Sequence, residues 1–313
     1  MQIIASPLFR EYYEYDWLKF LMGEAYFNSL QYYDPKIEMP SIDTTLLITS
    51  NVSDYTNFLN KLFENGKKYG VILPSDEWVQ HDDSFIWNAN CVFLYRNYLH
   101  PISIESNKVT QFGLGYRNGF KVNPLAIKRS CDRKYCWNFI GSPRPGLHDE
   151  RMKAISLFRV LKNDFVHLTS GFNASDYLGV NDYQNCLMDS QFTLCPRGHR
   201  NIDTFRLYEA LEAGSIPVTL KNSGAFPYKF QPSYWELLFK NMQIPFIYAD
   251  SWEDALSDVQ KIINEDRISE IQVECLKFWN SSKNYWKEDL QKKNWIAKPA
   301  EKVFVFVANT AYT

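Results

Sequence analysis

The sequence predicts an α/β chain built as two doubly wound, Rossmann-like halves. Three observations carry this. Short apolar runs of strand length alternate with amphipathic stretches of helical length, and such alternation builds parallel sheets with helices on both faces. The series restarts after the basic, cysteine-containing segment KRSCDRKYC (128–136). The boundary is therefore expected between residues 123 and 134, with halves at 1–128 and 129–313 and the last residues free to return to the first half. At 313 residues, 45% of them hydrophobic, the chain can bury two cores of ordinary domain size.

In the first half, residues 2–5 read as a short strand. Residues 9–33 read as one long amphipathic helix with Tyr12, Tyr13, Trp17, Phe20, Leu21, Tyr26 and Leu30 on its apolar side. DPKIEMP then breaks the pattern with two prolines. Residues 44–50 form the next strand, and Ser53 or Asp54 caps a helix running to Asn65 and Gly66. Strands at 71–74, 91–95 and 109–114 complete the half. In the second half a strand at 137–140 runs into GSPRPG, and His148 or Asp149 starts a helix that reaches about residue 161. A strand at 165–168 and a helix near 183–188 follow. Further on, 246–249 is a strand and 252–286 is largely helical. The tail EKVFVFVANTAYT reads as an edge strand.

The chain is organised around residues 191–220, QFTLCPRGHRNIDTFRLYEALEAGSIPVTL. A buried strand (191–195) leads into a polar turn (196–203) that carries Pro196, Arg197, Gly198, His199 and Arg200. Asp203 or Thr204 caps a helix, Gly214 stops it, and 215–220 is the next strand. A helix N-terminus offers unpaired N–H groups and partial positive charge, so it attracts phosphate. Arg197, Arg200 and Arg206 add charge that can fork onto phosphate oxygens. Glu209, three residues past Arg206, would repel phosphate but accept hydrogen bonds from ribose hydroxyls. The combination points to a nucleotide. The alternative is a surface pair of Arg206 and Glu209, worth only about 0.2–0.5 kcal/mol.

Gly141, Ser142 and Arg144 lie where the first strand of the second half ends, the edge at which doubly wound sheets bind ligands. That strand end and the 196–203 turn could hold one diphosphate from two sides, with Arg151 within reach. The plainer alternative for Arg144 is a solvent-facing loop arginine.

CPRG followed by TFRLYEALEAGSIPV resembles the C-terminal signature of exostosin-type glycosyltransferases, whose GT-B fold implies two such halves facing a cleft. Upstream, NFIGSPRPGLHDER (138–151), GLGY (113–116), YRNYLHP (95–101) and LPSDEW (73–78) are weaker echoes. The order of the SDE, RNY and LGY elements is most similar to the xylose-transferring branch, which includes ribitol xylosyltransferase-like and viral glycan enzymes. The resemblance implies an inverting transfer from a nucleotide sugar, UDP-xylose or another UDP-sugar, to a sugar hydroxyl of a glycan. The second half would take the donor and the first the acceptor. A rival reading keeps the fold as a glycan-binding or scaffold protein without turnover.

An inverting transferase needs a group to take the acceptor's proton. Asp76 and Glu77, at the end of the strand at 71–74, are the candidates, with His81, Asp82 and Asp83 competing. Capping of the next helix through Ser75 or Asp76 is the alternative role for these acids. HDD (81–83) contains no DxD metal motif, and His100, His148, His167 and His199 are scattered, so no metal is expected to be required.

The formal net charge of −2 excludes a general nucleic-acid or anionic-membrane binder and makes any basic site local. Aromatics are 16% of the chain, suited to sugar-facing surfaces although most will be core. The N-terminal stretch lacks a signal-peptide pattern and no run approaches membrane-spanning length. Six cysteines without a CxxC pair fit a reducing compartment. A cytoplasmic protein of viral or bacterial origin is expected, unlike the Golgi-anchored animal relatives.

Overall fold

The structure, a computed structural model, describes residues 3–5, 13–28, 30–32, 46–48, 56–74, 76–79, 83–100, 106–143, 149–171, 174–222, 232–240, 242–292 and 303–306. The chain forms two compact units: Met1–Asn118 with Lys283–Thr313, and Gly119–Ser282.

The first unit carries β1 (Ile3–Ala5), α1 (Tyr15–Met22), α2 (Glu24–Phe27), β2 (Leu30–Tyr32), β3 (Leu46–Ile48), α3 (Thr56–Glu64), β4 (Tyr69–Leu73), β5 (Cys91–Arg96) and β6 (Val109–Gln111). With β12 (Val303–Phe306) these strands make one sheet in the order β2-β1-β3-β12-β4-β5-β6, every pairing parallel. Its core sets Phe58, Leu59 and Leu62, one helical face of α3, against Tyr69, Val71, Leu73, Leu94 and Val109.

Two expectations are corrected in this unit. The long helix at 9–33 is absent where residues are described: α1 ends at Gly23 (φ 88), α2 is one turn, and 30–32 is a strand beside β1. Positive φ at Gly23 breaks the helical path that the aromatic spacing mimicked. The tail is not an edge strand either. β12 lies between β3 and β4, as the unbroken apolar run VFVF would favour, because strands inside parallel sheets are covered on both faces. The caps Ser53 and Asp54 lie outside the described residues.

GLGY acts as a seat for α1. Trp17 Nε1 donates to Gly113 O at 3.0 Å, and its ring lies where a Cβ on Gly115 (φ +75) would be, 2.4 Å away. Only glycine fits that position. Asn118 N donates to Tyr13 O at 2.8 Å and Asp16 N to Asn118 Oδ1 at 2.8 Å, so the start of α1 is tied to the segment after β6.

The second unit runs β7 (Tyr135–Gly141), α4 (Glu150–Phe158), β8 (Asp164–Leu168), α5 (Val180–Met188), β9 (Ser190–Leu194), α6 (Phe205–Glu212), β10 (Ile216–Leu220), α7 (Tyr234–Leu238), β11 (Ile247–Ala249) and α8 (Trp252–Asn264). Helix α9 (Ile268–Lys292) leaves it for the first unit. The stretch at 252–286 is largely helical as expected, in two helices parted near Asp266 (φ 54). The sheet order is β11-β10-β9-β7-β8, again all parallel. Both units are therefore parallel α/β layers, the elements of a GT-B chain.

The division falls after Asn118, ahead of the 123–134 window, and the chain's end belongs to the first unit. The leader to β7 already packs on the second unit. Phe120 meets Tyr183 edge-on at 5.8 Å, and Arg133 donates to the carbonyls of Leu187, Ser190 and Ala213.

Candidate functional site

The order of the second sheet fixes where a ligand can bind. From β7 the chain goes outward to β8, returns across to β9 on the other side, and continues to β10 and β11. The winding reverses between β7 and β9, and in doubly wound sheets ligands bind beyond the carboxyl ends of the strands at such a reversal. β7 ends at Gly141 with Ser142 next, and β9 ends at Leu194, followed by Cys195, Pro196 and Arg197. The two segments singled out in the sequence therefore sit side by side at the switch point.

Arg206, in the first turn of α6, joins them. Its Nε and Nη2 donate to Ile140 O at 3.2 and 3.1 Å, and Nη1 donates to Pro196 O at 3.5 Å. The guanidinium lies over the Phe139 ring, 4.8 Å from its centroid. Gly141 (φ +147) makes this approach possible, since a Cβ there would stand 2.7 Å from Arg206 Nη2. One cation is thereby held at the ends of both strands.

A second arginine stitches the same loops. Arg151 donates from Nη1 to Ser142 O at 2.7 Å, and from Nε and Nη2 to Arg197 O at 3.2 and 2.9 Å. Arg197 is buried. Its Nε pairs with Glu150 Oε2 at 3.2 Å, and its backbone N–H donates to Glu150 Oε1 at 3.1 Å. Gly198 N closes the turn on Asn201 O at 2.7 Å.

Thr204 is the N-cap of α6, in extended backbone, but its hydroxyl makes no capping hydrogen bond. The Thr204 Oγ1 is buried without a hydrogen-bond partner among the described residues. Asp203 accepts from Tyr234 Oη at 2.8 Å, and Glu209 accepts from Tyr183 Oη at 2.7 Å on Oε2. Glu209 is 1% exposed, so it is not half of a surface ion pair with Arg206.

The candidate acids of the first unit follow β4. Asp76 is fully buried and its Oδ2 accepts from Arg96 Nη2 at 3.0 Å; Arg96 Nη1 also binds Asp83. Glu77 is buried beside them. Asp76 Oδ2 is thus held by a buried guanidinium, and Glu77 follows it directly in the chain. Arg144, Ser75, His81, Asp82 and His148 lie outside the described residues.

Glu150, Tyr183, Tyr234 and Phe139 were not anticipated. Glu150 stood in view beside Arg151 in HDER; the two tyrosines carried no sequence signal, because their partners are 26 and 31 residues away. Among the described residues no three His, Cys, Asp or Glu side chains cluster as metal ligands, and no helix is long and apolar enough to cross a membrane. The six cysteines are free thiols.

Comparison with known proteins fits this geometry. The RXYLT1 C-terminal domain family matches residues 116–293, a span that contains the whole second unit. Human ribitol-5-phosphate xylosyltransferase 1 is 29% identical over 183 residues, covering 53% of this chain and 40% of that protein. Drosophila melanogaster Exostosin-1 is 31% identical over 127 residues, covering 32% and 17%. The matched part is thus less than half of either relative. An α1,3-fucosyltransferase crystal structure aligns over 91% of this chain and 90% of its own at 8% identity, with a TM-score of 0.47.

Proposed function

We propose that this chain, which belongs to the RXYLT1 C-terminal domain family, is an inverting glycosyltransferase. It would move a sugar from a UDP-sugar, UDP-xylose first among them, to a hydroxyl of a glycan. The second unit takes the donor and the first the acceptor, with no required metal. The observation that carries this is Arg206, a fixed cation spanning the ends of β7 and β9 at the head of α6. The names of the relatives support a xylosyl donor.

In the proposed step Glu77 takes the proton of the acceptor hydroxyl. The acceptor oxygen bonds to the sugar's anomeric carbon as the bond from that carbon to the diphosphate breaks, and the electron pair departs with UDP. Negative charge grows on the diphosphate, and donors already in place stabilise it most. Arg206 and the first-turn N–H groups of α6 are those donors here; Gly141 leaves the room that Arg206 occupies, the Ser142 and Pro196 carbonyls hold Arg151 and Arg206, and Gly198 closes the turn on Asn201. Arg151 and Arg197 shape the cradle through carbonyls and Glu150. Arg144 is kept as a further phosphate ligand on sequence grounds. Thr204 Oγ1 has hydrogen-bonding capacity in reserve for the donor, while Asp203 and Glu209 would serve the ribose side, Glu209 exchanging or sharing its bond to Tyr183.

The test is release of UDP from UDP-xylose and other UDP-sugars, without acceptor and with EDTA present. Slow release of UDP and free sugar that survives the chelator is expected. UDP binding without any sugar release would instead favour the scaffold reading, and loss of release restored by manganese or magnesium would defeat metal independence.

A further inference from the structure

Two motifs of the first unit remain unexplained by donor binding: SDE at 75–77 and RNY at 96–98. The structure joins them. Arg96 ends β5 and stands in register with Leu73, the last residue of β4, three positions before Asp76. Its Nη2 binds Asp76 at 3.0 Å, its Nη1 binds Asp83, and its Nε donates to Tyr98 O at 3.1 Å and Asn97 O at 3.4 Å. All three ionic side chains are fully buried. The backbone is pinned on both sides of the clamp: Val79 N donates to Asp76 O at 3.1 Å with Val79 at φ 51, and Tyr98 takes φ 58. Positive φ at valine and tyrosine costs energy and persists only where the surroundings dictate it.

We propose that Arg96 is a positioning residue: by gripping Asp76 and Asp83 it fixes the backbone from which Glu77 is presented to the acceptor. This rests on the reading of Glu77 as the proton acceptor. A buried ion pair is weak evidence of stabilisation in its own right, since apolar replacements often serve as well. A planar fork that binds two carboxylates and two carbonyls does set geometry, and lysine cannot reproduce it. A base displaced by about 1 Å can cost about 10²-fold in rate.

The experiment compares wild type, Arg96→Lys, Asp83→Asn, Glu77→Gln and Arg96→Lys/Glu77→Gln. It reads kcat and KM for hydrolysis of UDP-xylose with water as acceptor, and amide exchange in the peptide covering 76–79. Arg96→Lys should lower kcat about tenfold or more while KM for UDP-xylose stays within about twofold. Exchange at 76–79 should quicken by a similar factor, and the double variant should fall no lower than Glu77→Gln alone, because the clamp acts through that residue. Unchanged kcat per folded molecule, or losses that multiply in the double variant, would overturn the proposal. If Arg96→Lys does not fold, Asp83→Asn, which keeps the Arg96–Asp76 pair, carries the same test. If wild type hydrolyses no UDP-sugar, the functional reading fails instead. Exchange at 76–79 then decides the clamp alone: faster upholds it, unchanged overturns it.

Discussion

Arg206 is already held in place by the fold, and in the proposed reaction that is what would make it useful. Its guanidinium is fixed by two carbonyls and an aromatic face, so little reorganisation remains when charge develops nearby. Its motif made its identity visible in the sequence, but not its partners: Ile140 is 66 residues away, and no local pattern records that distance. Glu14 shows the opposite case, a residue without a motif whose chemistry appears only on folding. It heads α1, is 1% exposed, and burial pushes its carboxyl from 4.5 to about 8. Between those values the native state holds a proton that the unfolded state has released, so stability falls as pH rises from about 4.5 through about 8. Melting temperature against pH should show that decline. Glu14→Gln should flatten it and melt higher than wild type at pH 8; an unchanged slope would mean that other groups produce it.

At the scale of elements, strands and helices with a clean period were legible, and those whose limits depend on contacts were not. β7, β9, α6 and β10 fall where the 3.6 and apolar-run patterns put them, within a residue or two. β2 was read as helix because Leu30 kept helical spacing with Tyr26, and only its pairing with β1 shows otherwise. Helix α7 was missed; it is a single turn capped by Ser233 Oγ, which accepts from Glu236 N at 3.2 Å. The basic segment at 128–136 was read as a boundary, and its Arg133 is a fastener between elements. It donates to the carbonyls of Lys128, Leu187, Ser190 and Ala213, joining the leader of β7 to α5, β9 and the end of α6. Arg133→Leu should strand buried acceptors at about 1–3 kcal/mol each. Urea unfolding should show a loss of that order or more, with UDP affinity of the folded protein little changed. A loss under about 0.5 kcal/mol, the range of an ordinary surface substitution, would mean the bonds are replaceable.

At the scale of the whole chain, two parallel sheets were foreseen because alternation of elements restarts, whereas the position of β12 in the middle of the first sheet was not. A strand from the far end of the chain is placed by sheet geometry, which sequence order does not encode. The winding of the second sheet reverses between β7 and β9, and the nucleotide site proposed for this chain lies at that reversal. Its most direct measurement is the UDP-induced shift in melting temperature of wild type and Arg206→Ala. At about 100 times its Kd, UDP should add about 2.7 kcal/mol of apparent stability to wild type. Arg206→Ala, measured from its own melting temperature without ligand, should lose most of that shift at the same UDP concentration. No shift in wild type, or an equal shift in the variant, would contradict a nucleotide site built around Arg206.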